Sequence, residues 1–282
     1  MAGVLPVRKI YVDSRYKTSN SKSNSDFKYE LSESVSLPDK SVMFIDDVII
    51  PNSWLNIDLT NNLLYVERYF FQSGTKYYDI VPLTPGNYTA ATLRTELESK
   101  LNASFTGLGA VVTYDASYLH FRINVEQFSE INIFSDKHLK KIYESNYNEW
   151  DPAQPYDPNN LKSANDILSI NYLDVEETAN NPFYTGLIDL RRYHNLYITS
   201  PNLSSFTTLA PRGLSTVIKK VPVTSDYGTI LYDNVVSNHD WVDVSKMLLK
   251  TLEFRITDVH GNVVDLRGLP VSFSLIFMLE QD

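Results

Sequence analysis

The chain has no cysteine, which removes disulfide staples, thiolate metal sites and cysteine nucleophiles together and suits folding in a reducing compartment. Glycine is scarce, 10 of 282 residues against 19 tyrosines and 13 phenylalanines, so packed sheets and adhesive aromatic surfaces are expected in place of flexible linkers. Cations are short as well. Twenty-five Lys and Arg face 34 Asp and Glu, and a formal net charge of -9 sets the molecule against phosphate backbones, which argues against specific nucleic-acid binding. No apolar run approaches the ~20 residues of a membrane span. Met1-Ala2-Gly3-Val4-Leu5-Pro6 is too short and too soon interrupted for a secretory signal, so synthesis in a cytosol-like compartment is expected. The five histidines, His120, His138, His194, His239 and His260, lie far apart with no metal-ligand spacing, and no cofactor is expected. There is no Gly-x-Ser-x-Gly elbow, and no dinucleotide or phosphate loop surrounds Gly213. Asp46 and Asp47 would point to opposite faces of one strand, so they make no acid/base pair. An enzyme is therefore the least favoured reading.

What the chain does have is alternation. Leu252, Phe254 and Ile256 alternate with Glu253, Arg255 and Thr257, the period of a half-buried strand. After a loop at His260-Gly261-Asn262, Val271, Phe273 and Leu275 alternate with Ser272 and Ser274 before the run becomes apolar on both faces through Leu279. A strand that apolar belongs inside a sheet, with a neighbour on each side and a facing layer. Strands are also expected over 9–13, 27–31, 41–50, 63–71, 77–81, 195–199, 215–223 and 229–232. Counted from Phe27, four strands precede residue 84 and four or five follow residue 185, the number a two-sheet jelly roll needs. The expected fold is all-β, a single jelly-roll sandwich with a small α+β insertion. Its N-terminal half is placed at 1–83, the insertion and a long loop at 84–185, and the C-terminal half at 186–282.

Within the insertion, Thr89 is a helix N-cap, with Tyr88 able to staple against Leu93, and Leu93, Leu97 and Leu101 form one apolar stripe. A hairpin turned at Asp115-Ala116-Ser117 and a strand over 131–134 follow, then a second short helix that starts at Ser135-Asp136 and carries Leu139 and Ile142. From Asn146 to Thr185 the sequence is rich in Asn, Asp, Pro and Tyr, and reads as a long surface loop with at most one short helix near 164–170.

Two places are candidates for interaction. Residues 14–25, mostly Ser, Lys and Asn, read as a mobile arm that is locally basic through Lys17 and Lys22. Aromatic rings gather between 143 and 197, where Trp150, Tyr156 and Tyr184 are candidates for an interface or a sugar-stacking surface; tucking the loop onto the sandwich is the plainer alternative.

Three stretches also carry a resemblance. They are Val12-Asp13-Ser14-Arg15 with Phe27 to Leu31; Leu196-Tyr197-Ile198-Thr199-Ser200 with Pro211-Arg212-Gly213 and Val217 to Val223; and Leu252 to Asp258 through Gly261-Asn262 to Leu275. In this order they resemble the penton, or minor capsid, proteins of virophages and Polinton-like, adintovirus-type DNA viruses. The resemblance implies a structural capsid protein of the virion, assembled in the host cytoplasm or nucleus. It implies a single jelly roll that forms a pentameric vertex capsomer and contacts the major capsid protein, with no catalytic residues. The alternative function is a carbohydrate-binding jelly-roll module that uses the loop aromatics for attachment.

Overall fold

The first three strands are β1 (Arg8–Asp13), β2 (Asp26–Ser36), along which Phe27, Tyr29 and Leu31 alternate with polar residues, and the more continuously apolar β3 (Ser41–Pro51). The chain then passes through β4 (Leu63–Phe70), β5 (Thr75–Pro82), helix α1 (Ala90–Ser104), β6 (Val111–Asp115), β7 (His120–Asn124), β8 (Ser129–Ile133), helix α2 (Asp136–Ser145) and β9 (Phe183–Tyr184). It closes with β10 (Asn195–Thr199), β11 (Val217–Pro222), β12 (Ile230–Asp233), β13 (Val242–Asp243), β14 (Leu248–Thr257) and β15 (Ser272–Leu279). This computed structural model describes residues 8–145, 156–172, 179–203, 216–236 and 241–280. The chain forms two units, Met1–Trp54 with Tyr193–Asp282, and Leu55–Arg192.

The first unit is a jelly-roll sandwich. One sheet runs β1-β15-β3-β12, with the two-residue β13 also on β3, and the other runs β11-β10-β14-β2, every pairing antiparallel. As its sequence demands, β15 lies between β1 and β3, with Val12 and Val48 both opposite Phe273. Phe273, Leu275 and Phe277 face the core, and Ser274 and Ile276 on the other face are buried too. The two layers meet through rings: Phe254 of β14 lies edge-on to Phe273 of β15 at 4.9 Å and 5.6 Å from Phe27 of β2. Each such buried side chain contributes roughly 1.5–3 kcal/mol by leaving water. Between β14 and β15 the chain turns at Gly261, whose φ of +83° is left-handed and favours glycine, while the Asp258 carboxylate accepts from the amides of His260 and Asn262.

The second unit has its own core. The capping box forms between Thr89 and Thr92, and Leu93, Leu97 and Leu101 of α1 pack fully buried against Leu64, Val66 and Val81 of the β5-β4-β8 sheet. A second sheet, β6-β7-β9, adds Val112, Phe121, Ile123 and Phe183 to that core. On the other face of β4, Tyr65 joins Phe134, Leu139 and Ile142 of the α2 region and Leu161. Ser135 caps α2 by accepting from the His138 amide.

Three expectations change. The 63–82 hairpin belongs to the second unit, and β1, left out of the count of strands, is an edge strand of the five-stranded sheet of the sandwich. The reason is that β4 buries both faces, Tyr65 toward α2 and Leu64 and Val66 toward α1, as a central strand of a three-layer unit does. The unit therefore begins at Leu55 and ends at Arg192, and the expected limits of 84 and 185 are replaced.

Residues 14–25 are not a free arm. Ser14 is fully buried and exchanges hydrogen bonds with the Val271 backbone, its amide donating to the carbonyl and its hydroxyl accepting from the amide, both at 2.9 Å. Asn24 Nδ2 donates to the Gly268 carbonyl at 2.7 Å, and the Thr18 amide to that of Lys28. The short polar side chains supply these bonds, so the segment folds back without a hydrophobic anchor.

The described part of the expected 146–185 loop is no surface ornament either. Ala164, Ile167, Leu168 and Ile170 are buried in the second core, and a helical turn at Ala164 with a 3-10 turn over Ile170–Tyr172 stands where at most one short helix was expected. Buried Asn165 donates to the Phe134 carbonyl and to Asp136, which lets irregular backbone stay inside. Met1 to Pro6, Tyr147, Trp150, Pro211-Arg212-Gly213 and His239 lie outside the described residues.

Candidate functional site

The candidate residues do not converge. Lys17 Nζ donates to Asn24 Oδ1 at 2.7 Å, and Lys22 sits 3.6 Å from Asp26, so both cations hold the folded-back segment together. Tyr156 donates its hydroxyl to the Leu139 carbonyl at 2.5 Å and lies edge-on to Tyr65, which itself donates to the Leu161 carbonyl. Burial pushes both phenols above their ordinary range, Tyr65 to about 12. Tyr156 thus pins the loop onto the second core, the plainer of the two roles considered for it. Of the described aromatic candidates, Tyr184 stays presented to solvent, at the end of β9. Tyr193, also in the aromatic region, packs edge-on against Trp54 at 5.6 Å, where the chain leaves the sandwich and comes back.

The motif Val12-Asp13-Ser14-Arg15 has a local explanation. Val12 enters the core, and Asp13 caps the following 3-10 turn by accepting from the Arg15 amide at 2.9 Å. The Arg15 guanidinium also grips that carboxylate and holds it below the usual carboxylate range. These residues shape a turn; they present no reactive group.

The open sides of the sandwich differ in kind. At the β1/β2 side, the Tyr29 hydroxyl donates across the layers to the Tyr11 carbonyl, and Arg8 pairs with Glu33 at 2.6 Å beside a groove of 540 Å³ lined by charged, tyrosine and aliphatic side chains. At the β11/β12 side, Lys219 is buried. It reaches from one sheet to the other, donating to the Val235 carbonyl at 2.7 Å and lying 3.6 Å from Asp233. Outside this tie, β12 presents apolar residues: Ile230 is 63% exposed, Tyr232 57% and nearby Val235 72%. Ile49, Pro51, Ile230, Leu269 and Pro270 continue that surface into a mostly apolar groove of 410 Å³. Apart from Asp233, which Lys219 ties inward, the side chains of this edge strand are uncharged, and exposed apolar edges are the kind that natural monomers blunt. The sequence carried a signal for it, since Ile230, Leu231 and Tyr232 are apolar on both faces of one short strand.

The outer face of β2 and β14 is a ladder of opposite charges, with Lys28 2.6 Å from Glu253, Arg255 3.4 Å from Asp26 and Lys250 3.6 Å from Glu30. Among the described residues no group of three or more His, Asp or Glu is placed to hold a metal ion. No helix among them is long and apolar enough to cross a membrane.

No family model and no curated protein matches the sequence. Among solved structures, the mavirus penton protein superposes with a TM-score of 0.53 at 10% identity, over 96% of this chain and 99% of its own. The chain is therefore similar to that protein in fold, a distant penton-like jelly roll, and the likeness extends over nearly the whole of both chains.

Proposed function

We propose that this chain is a structural subunit of a viral shell, a penton of virophage or Polinton-like type. In this reading it resides in the virion as a pentameric vertex capsomer, flanked by the major capsid protein, and acts by assembly, not catalysis. The observation that carries the reading is the length of the fold correspondence. A coverage of 96% cannot be reached by the sandwich alone, because Leu55–Arg192 makes up close to half of the chain. A common jelly roll by itself would say little about role; the pairing of sandwich and second unit says more.

The sandwich edges supply a physical route. A ring needs a head-to-tail contact between two different surfaces of one molecule. The apolar β12 side offers one surface, and the polar, tyrosine-bearing β1/β2 side the other. Permanent contacts of this sort bury on the order of 2,000 Å² or more.

Size-exclusion chromatography with light scattering on the full chain tests the reading. The expected result is a five-subunit mass that the double substitution Ile230→Asp and Tyr232→Ser reduces to one subunit, with an unchanged circular-dichroism spectrum. A monomer at high concentration that major capsid protein also fails to recruit overturns it.

A further inference from the structure

One surface of the second unit is dressed for a ligand that the assembly reading does not use. On the outward face of β7, His120 and Arg122 flank the inward Phe121, and Arg122 stands directly opposite Tyr184 of β9. The Tyr118 ring stacks on His120 at 5.6 Å and 15°, and the Tyr184 ring lies 5.3 Å from His120, tilted by 60°. The three rings form a row. Tyr118 is 71% exposed and Tyr184 45%, and neither phenol has a hydrogen-bond partner among the described residues.

The row is held rigidly. Asp115 Oδ1 accepts from the amides of Ser117 and Tyr118, and the Leu119 carbonyl accepts from the Ile188 amide at 2.7 Å. Leu119 sits at φ +53°, a left-handed conformation that costs a branched side chain of order 1 kcal/mol and is kept only where the surroundings impose it. The turn thereby holds Tyr118 outward.

Beside the rings, the exposed Arg122 guanidinium has no acceptor among the described residues, and Asp115, opposite His120, keeps its second oxygen unpaired among them. Open, rigid rings with polar tips accept the C–H face of a sugar, and a free guanidinium pairs bidentately with a carboxylate. The row offers one such cation within a chain of net charge -9, which suits a single carboxylate and disfavours polyphosphate or a polysulfated chain.

From this arrangement we infer that the outer face of β6-β7-β9 binds a carbohydrate bearing one carboxylate. Tyr118 and Tyr184 stack on the sugar, Arg122 receives the carboxylate, and Asp115 accepts from a hydroxyl. The inference does not rest on the assembly reading. A monomer that binds the sugar would keep this inference and lose that reading, and a ring that binds no sugar would do the reverse.

Ligand-observed NMR on the full chain tests it with three probes: a sialylated lactose, a glucuronate-ended disaccharide and lactose itself. At least one acidic probe is expected to bind about tenfold or more tighter than lactose, the discrimination a charge-assisted bidentate pair provides. The two acidic probes tell which source of carboxylate fits. Arg122→Gln should abolish the preference for acid. Tyr184→Ala should weaken every probe about tenfold, the worth of one stacked ring. Both side chains are solvent-facing, so an unchanged melting curve is expected and serves as the folding control. Equal binding of all three probes, no binding, or an acid preference that survives Arg122→Gln overturns the inference.

Discussion

In the sandwich, strands that lie side by side come from opposite ends of the chain: Arg8 is opposite Phe277 and Phe27 opposite Phe254. In Leu55–Arg192 the pairings are mostly local, with β4 returning as β5 around Gly74 and β6 as β7 around Leu119. Long closures are slow to form but cost little more in free energy than short ones, so the sandwich tolerates a large interruption between β3 and β10. Trp54 and Tyr193, in contact where the chain leaves and returns, keep the two ends of that interruption together. The contrast teaches that one continuous segment supplies the whole of its own core, while the sandwich draws its strands from both flanks of the chain.

This contrast can be broken most forcefully at the ring pair that joins the two layers. Phe254→Ala should cost the sandwich about 3–5 kcal/mol, the usual penalty for emptying a buried phenylalanine site, and leave the melting of Leu55–Arg192 in place. Calorimetry of the full chain, with expressed 55–192 as reference, reads this directly. A single transition shifting as one would show that the units do not fold independently.

Lys219 is the next lever. Removing it leaves the mostly buried Asp233 without its cation and with the Val235 amide as donor, so Lys219→Ala should destabilise the sandwich by about 3 kcal/mol, and Asp233→Asn with Lys219→Met should recover most of that loss. Chemical denaturation followed by tyrosine fluorescence checks both variants. In the second unit, Tyr65→Phe leaves the Leu161 carbonyl without its donor and should cost about 1–2 kcal/mol, read in the isolated segment. The smallest effect belongs to the charge ladder. Lys28→Ala should cost below about 1 kcal/mol, and the loss should fade in high salt because the pair with Glu253 is partly exposed.

The same contrast explains what could be read from the residues beforehand. Phe254 and Phe273 alternate with polar or small neighbours, and one period of two was enough to place them in sheets that face each other. Leu93, Leu97 and Leu101 announced α1 just as plainly. The 63–82 hairpin misled because a strand buried on both faces looks the same whether it belongs to a sandwich or to a sheet between helices. Ala164 to Ile170 misled for a different reason: buried irregular backbone depends on amides such as Asn165, whose partners lie some thirty residues away in sequence. Ser14 and Asn24 did the same for the supposed arm, reaching Val271 and Gly268 across almost the whole chain. Of the candidate contact residues, Tyr184 stands on an open surface and Lys22 is mostly exposed as well, whereas Lys17 and Tyr156 serve the fold. Tyr118, His120 and Arg122 were missed beside Tyr184 because two of them sit in an ordinary alternating strand and the third in a turn.

The central claim is that the sandwich closes into a ring of copies through its two unlike sides, and negative-stain electron microscopy of the purified full chain tests it most directly. Class averages should show closed particles with five-fold symmetry that disappear when Ile230 and Tyr232 are replaced by polar residues. Fields of single particles at every concentration, with and without major capsid protein, would contradict it.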